Sequence, residues 1–319
     1  MKQNPKAAFL ALLAAAITFP LLTATAQVNG PLAPHKPQPA AGSIQIDVEM
    51  VLVNASVTDA FGHPVPNLEK KNFRLFEDNI EQEVLTFSNE DVPASIGLLF
   101  DTSGSMADKM DASRQAVVKF LRKSNPEDEF FLISFDSHAE LTNHFTSDIQ
   151  QLQQRMTSLK PAGRTALLDA IYLGMAQMRS ARHERHILLV LSDGGDNHSR
   201  HHLPEIRRLL QESDCQLYAL GIFDPRDMKR TSEEHEGPGL LSELVEMTGG
   251  HVFQSAKLSE LADLAGKIGT ELRSQYILGY KPTDVRHDGR WHPIKVSLRP
   301  AYDPPLTARA RTGYYSPRD

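Results

Sequence analysis

At 319 residues the chain is too long for most single compact domains and short for three large ones, so one large domain with a smaller companion is the natural partition. Apolar residues make up 40% and charged residues 23%, an ordinary globular balance that can fill a sizeable core. A single cysteine excludes an internal disulfide, and a formal charge of −6 with no basic stripe argues against a nucleic-acid binder.

Residues 1–26 read as a secretory signal. Lys2 and Lys6 supply the positive start, residues 7–22 are apolar, and Ala24-Thr25-Ala26 offers small residues for cleavage. Pro20 and the short apolar run argue against a permanent membrane anchor, so no transmembrane segment is expected after cleavage. Removing this segment takes two lysines and no acids from 34 basic and 40 acidic residues, leaving a formal charge of −8. Residues 27–43, with Pro31, Pro34, Pro37 and Pro39, are expected to form an extended linker.

From Ile44 apolar and polar residues alternate with the period of a half-buried strand, continuing to about Thr58. Gly62 and Pro64 mark a turn, Phe73 and Leu75 alternate again, Asp78-Asn79 marks a further turn, and Leu85 with Phe87 suggests another strand. Residues 44–92 therefore read as a β segment too small to bury a core alone.

After Pro93 apolar runs alternate with amphipathic stretches. Strands are expected at 95–100, 130–135, 186–191, 215–222 and 251–253, and helices at 108–122, 148–159, 166–179, 204–212, 240–247 and 259–274. Runs such as Ile187-Leu188-Leu189-Val190-Leu191 are apolar without alternation, as when both faces of a sheet are covered. The fold class is α/β: a doubly wound, mainly parallel sheet over residues 93–274 with helices on both faces. In the tail, Ile294, Val296 and Leu298 alternate with polar residues, and Asp288-Gly289 predicts a hairpin joining this run to residues 275–280. Residues 275–319 form a second β segment, expected to pair with 44–92 as a small sandwich around the inserted α/β domain.

Three loops fall at the carboxyl ends of the parallel strands, where open α/β sheets bind ligands. Asp101-Thr102-Ser103-Gly104-Ser105 follows the first strand. Pro161 to Thr165 precedes a helix, and Ser192-Asp193-Gly194-Gly195-Asp196 follows the strand ending at Leu191. The first loop alone is as consistent with capping the next helix as with holding a cation. Together the three would deliver Asp101, Ser103, Ser105, Thr165 and Asp193 to one place.

This ordered set resembles the metal-ion-dependent adhesion site of von Willebrand factor A (VWA) domains and integrin inserted domains, over about residues 93–274. The flanks look, more loosely, like those of secreted bacterial proteins carrying a related domain. The resemblance implies that Ser103 and Ser105 ligate a divalent cation directly. Asp101 and Asp193 would act mostly through bound water, and Thr165 directly or through water. Mg²⁺, which prefers octahedral oxygen donors and retains waters, is the expected ion, with Mn²⁺ as a substitute; Ca²⁺ and Zn²⁺ suit the set less well. A position left open would take an acidic side chain from a protein partner. Arg164 beside Thr165 reads first as a surface arginine, with attraction of such an acidic group toward the metal as the alternative. Integrin-type members couple binding to movement of their last helix, here 259–274.

The reading is thus an exported, cation-dependent protein-binding module, at the periplasm, outer surface or outside the cell. Two alternatives are an exported metal-dependent hydrolase and an envelope scaffold subunit without metal dependence. A carbohydrate partner is a further alternative, and the sequence does not fix the oligomeric state. No phosphate loop or nucleophile elbow is present, and no enzyme activity is expected. His198, His201 and His202 lack partners at metal-ligand spacing and read as a solvated loop, as do Asp136 and His138. Cys215 reads as a buried small hydrophobe. Asp196 either supports the third loop by hydrogen bonds or is solvated.

Overall fold

The computed structural model describes residues 50–193, 195–223, 232–283, 288–299 and 304–317. The expected signal and linker, residues 44–49 of the strand expected from Ile44, and Gly194 of the third loop lie outside them. In chain order the strands and helices are β1 (Val51–Thr58), β2 (Phe73–Glu77), β3 (Ile80–Gln82), β4 (Val84–Ser88), β5 (Ala94–Asp101), α1 (Met110–Lys123), β6 (Glu129–Phe135) and β7 (Ala139–Thr146). There follow α2 (Ile149–Ser158), α3 (Leu167–Met178), β8 (Arg185–Ser192), α4 (Leu203–Gln211), β9 (Gln216–Ile222), α5 (Ser232–Met247), β10 (Val252–Ser255) and α6 (Leu261–Leu272). The chain closes with β11 (Tyr276–Tyr280), β12 (Trp291–Leu298), β13 (Thr307–Ala310) and β14 (Gly313–Tyr315). Among the described residues no helix is long and apolar enough to cross a membrane.

The central sheet has the order β10-β9-β8-β5-β6-β7, with every pairing parallel except β6 with β7. All eight residues of β5 are buried. Its side chains alternate between two cores, because successive residues of a strand point to opposite faces. Ile96, Leu98 and Phe100 join α1, α2 and α6 in one core. Leu99 joins α3, α4 and α5 in the other. Gly97 faces the second core, where a Cβ would lie 2.2 Å from the Phe131 ring. The glycine is therefore needed for close packing.

The flanking segments build two four-stranded sheets, β13-β1-β11-β4 and β14-β12-β2-β3. They share one apolar cluster: Val53, Ala55, Val57, Tyr276 and Leu278 from the first sheet meet Phe73, Leu75 and Ile294 from the second. Residues from before and after the α/β region thus line the same core.

Three expectations are corrected. The hairpin of 275–280 with the strand after Asp288-Gly289 does not form, because β11 pairs with β1 and β4 in one sheet while β12 pairs with β2 and β14 in the other. The helix expected at 240–247 begins at Ser232 and contains Pro238. An edge strand, β7, was not anticipated. Its side chains are mostly half-buried or exposed, so it carries no apolar run.

Candidate metal centre

Because β5, β6 and β8 are parallel, Asp101 and Ser192 end their strands at the same edge of the sheet. Asp101 is fully buried. Its Oδ1 accepts the Ser103 backbone N–H at 2.8 Å, and its Oδ2 accepts the Ser192 hydroxyl at 2.5 Å. The Ser103 and Ser105 hydroxyl oxygens lie 3.1 Å apart. The carboxylate therefore ties its own loop to the end of β8. The capping alternative fails for α1, whose N-cap is Lys109 and receives no side-chain hydrogen bond.

The second loop is stitched to the first through backbone. The Gly104 N–H donates to the Gly163 carbonyl at 3.1 Å, and the Ala162 N–H donates to the Thr102 carbonyl at 2.8 Å. Gly163 has φ +74°, and a Cβ there would sit 2.5 Å from the Ser137 hydroxyl. The same hydroxyl accepts the Arg164 N–H at 2.9 Å. The third loop grips the second in turn. Thr165 N–H donates to Asn197 Oδ1 at 2.9 Å, and the Thr165 carbonyl accepts the N–H groups of Asn197 and His198, both at 3.0 Å. Thr165 and Asp193 are buried, Ser105 is half-buried, and Gly104, Gly163 and Arg164 are exposed. The loops form a polar floor open at its rim.

Asp196 resolves into a structural role. Its Oδ1 accepts the N–H groups of Leu167 and Leu168 at 2.9 and 3.3 Å, capping α3 from a distant loop, and also accepts the Ser199 hydroxyl at 2.6 Å. A helix start otherwise leaves such N–H groups without partners. Asp136 contributes backbone, its carbonyl accepting the Ala166 N–H at 2.7 Å. In the histidine tract His198 and His202 are exposed, and only His201 is half-buried. His201 stacks on Tyr172 with ring centroids 3.8 Å apart and meets Glu205 Oε2 at 3.0 Å, while His202 is the N-cap of α4. Cys215 is buried, and burial pushes its thiol pKa up, which disfavours the nucleophilic thiolate.

Sequence reasoning missed Lys109. Its ammonium reaches from the start of α1 to Asp193 Oδ2 at 2.8 Å, with the lysine side chain 20% exposed. A helical pattern shows Lys109 only as a polar position ahead of Met110, so the long reach had no signal. The floor then holds two buried carboxylates and one ammonium. Burial first, and the charge of Asp193 second, push the Asp101 carboxyl up to about 7.

This donor set fits a divalent ion: hard oxygens from Asp101, Ser103, Ser105, Thr165 and Asp193, two of these residues being carboxylates. Lys109→Met is expected to lower the melting temperature in chelator, by roughly 2 kcal/mol of stability, because Asp193 loses its ion pair. The same change is expected to raise Mg²⁺ affinity at least about tenfold by removing a cation from the site, since unit charges 4 Å apart repel by up to about 4 kcal/mol at an effective dielectric near 20. Calorimetric Mg²⁺ titration and chelator melts measure the two effects.

Residues 96–195, which include all five candidate ligands, match the family model described as von Willebrand factor type A domain. The chain carries a VWA domain. Inter-alpha-trypsin inhibitor heavy chain H4 from Bos taurus is 28% identical over 116 residues, covering 32% of this chain. The chain spans only 13% of that relative's length. A solved structure described as von Willebrand factor type A from Catenulispora acidiphila aligns with a TM-score of 0.50 at 11% identity, over 84% of this chain and 73% of that one. BatB from Bacteroides thetaiotaomicron aligns with a TM-score of 0.45 at 17% identity, over 57% of this chain and all of that one. VWA domains are typically protein-interaction modules.

Proposed function

We propose that the chain is an exported protein-binding module whose VWA domain holds Mg²⁺, or Mn²⁺ in its place, through Asp101, Ser103, Ser105, Thr165 and Asp193. The observation that carries this reading is the convergence of the three loops on a buried floor of hydroxyl and carboxylate oxygens under an exposed rim. When bound, the ion supplies an electrophilic point on which an acidic side chain of a protein partner can complete the coordination. The hydroxyls of Ser103 and Ser105 donate without neutralising that charge, and the buried carboxylates hold it in place. Arg164, exposed at the rim, adds a long-range attraction for the same acidic group.

Export rests on the signal-like residues 1–26, and the β segments on either side of the VWA domain would present it as an insert. The hydrolase and scaffold alternatives differ in outcome. Ser105→Ala is expected to weaken Mg²⁺ binding about tenfold or more in calorimetry with the fold intact, and to abolish the Mg²⁺-dependent capture of partners from an envelope extract that chelator also abolishes in wild type. Equal heats for wild type and variant would remove the metal from the reading and leave the scaffold. Cation-dependent turnover of ester, peptide or glycoside substrates would favour the hydrolase.

A further inference from the structure

The two-residue turn between β2 and β3 is made by Asp78 and Asn79, both with positive φ, +50° and +65°. That geometry suits Asn and Asp at the centre of a tight hairpin. It also places Asp78 beside β12, whose Ile294 pairs with Glu77, and the Asp78 N–H donates to the Pro293 carbonyl at 3.0 Å. His292 therefore points its ring at the turn. Its Nδ1 lies 2.8 Å from Asp78 Oδ2 and 3.6 Å from Glu77 Oε1.

We propose that Glu77, Asp78 and His292 form a second cation site, on the β-sandwich, suited to a zinc-class divalent ion that accepts a nitrogen donor. Each residue offers one ligand atom such that all three lie within 4.8 Å of one another. Tetrahedral donors at roughly 2.0–2.1 Å from zinc stand about 3.3 Å apart, and the two distances from Nδ1 bracket that value. Glu77 and His292 are each 4% exposed, yet Glu77 Oε2 has no hydrogen-bond partner among the described residues. Leaving such an atom unsatisfied is costly, and a cation at the carboxylate would satisfy it.

The surroundings match what metal-bound histidines require. His292 Nε2 faces Asp288 Oδ1 at 3.5 Å, so the far ring nitrogen looks at a carboxylate that can orient it. That carboxylate is itself fixed, its Oδ1 accepting the Arg290 N–H at 2.8 Å and the Ser316 hydroxyl at 2.9 Å. Tyr314 donates its hydroxyl to Glu77 Oε1 at 3.2 Å. Asp78, with its side chain 42% exposed, gives the ion access to water. This donor set contains a nitrogen and differs in kind from the all-oxygen set of the VWA domain, so the two sites should sort ions differently.

The test titrates Co²⁺, a spectroscopic stand-in for Zn²⁺, into the chelator-treated full chain. One equivalent is expected to bind with the intense visible absorption of a low-coordinate, nitrogen-containing site and to be displaced by Zn²⁺ but not by Mg²⁺. The signal should persist in Asp101→Asn, vanish in His292→Gln, and weaken roughly 10- to 100-fold in Asp288→Asn, which alters only the orienting carboxylate. Asp78→Asn keeps the turn conformation and should weaken binding at least about tenfold, which preserves the test if His292→Gln fails to fold. Absence of the absorption in wild type, its loss in Asp101→Asn, or equal binding by Asp78→Asn and wild type would each overturn the site and leave His292 as a counter-ion to its carboxylates.

Discussion

Asp101→Asn is expected to melt no lower than wild type in chelator above neutral pH, and to lose its response to Mg²⁺. The asparagine can keep both hydrogen bonds, accepting from the Ser103 N–H and pairing with the Ser192 hydroxyl, whose oxygen also accepts. What it removes is a charge. Burial and the neighbouring Asp193 raise the folded-state pKa of Asp101 to about 7, above its unfolded value. A raised acid means that the folded protein holds the proton more tightly than the unfolded chain. The contribution of this group to stability is therefore complete below the unfolded carboxylate pKa, declines as pH rises toward 7, and levels off beyond it. The loss is on the order of 4 kcal/mol. Wild type in chelator should show this decline and recover it when Mg²⁺ is added. The variant should show neither, and its Mg²⁺ affinity should fall about 100-fold. Thermal melts from pH 4 to 8, with and without Mg²⁺, read all of this. A variant that melts lower than wild type in chelator at pH 8 would contradict the account.

Arg185→Met is expected to destabilise the whole chain by roughly 3–5 kcal/mol, because three hydrogen bonds from a charged, half-buried group are lost at about 1.5 kcal/mol each. Arg185 opens β8 at the edge of the sheet opposite the candidate metal loops. Its guanidinium donates to the Val92 carbonyl at 3.1 Å, to the Leu272 carbonyl at 2.5 Å and to Gln275 Oε1 at 2.6 Å. Gln275 passes the connection on, its Nε2 donating to Ser56 Oγ at 3.0 Å and to the Tyr218 hydroxyl at 2.9 Å. Tyr218 in turn donates to Glu271 Oε1 at 3.2 Å. One set of side chains thus ties β8, β9 and the last turn of α6 to β1 of the sandwich. Methionine fills the volume and satisfies none of these acceptors. Gln275→Leu should cost less alone, and a double-mutant cycle with Arg185→Met should show strong non-additivity. Additive losses in denaturant melts would mean that the contacts act separately.

Much of this architecture was legible in the chain because its signals are local. The strands β5, β8 and β9 are continuous apolar runs, which a sheet covered on both faces demands. The loops after β5 and β8 carry acids and hydroxyls at fixed offsets. The legible part ended where partner choice depends on distant segments. Asp288-Gly289 does mark a turn, but a turn signal does not say which sheet receives the following strand, and β12 joined β2 rather than β11. The strand β7 pairs on one side only and alternates weakly, so period and composition both missed it. Lys109, Asp196 and His292 acquire their partners across 84, 29 and 214 residues respectively, distances at which spacing in sequence carries no information.

The register of β4 against β11 has a consequence for how the chain is assembled. Ser88 sits opposite Ile277, so the strand that leads into the α/β domain and the strand that leaves it are hydrogen-bonded neighbours. To the sandwich, everything between them is one long loop whose ends are already held about 5 Å apart. Closing a loop costs entropy only logarithmically in its length, about 0.6 kcal/mol for each doubling. Hosting an insert of this size therefore costs the sandwich only about 3 kcal/mol more than a four-residue turn. A chain in which a Gly-Ser turn replaces the insert should be able to keep the β4 and β11 pairing, and the insert, whose ends lie side by side, is suited to transplantation into another hairpin.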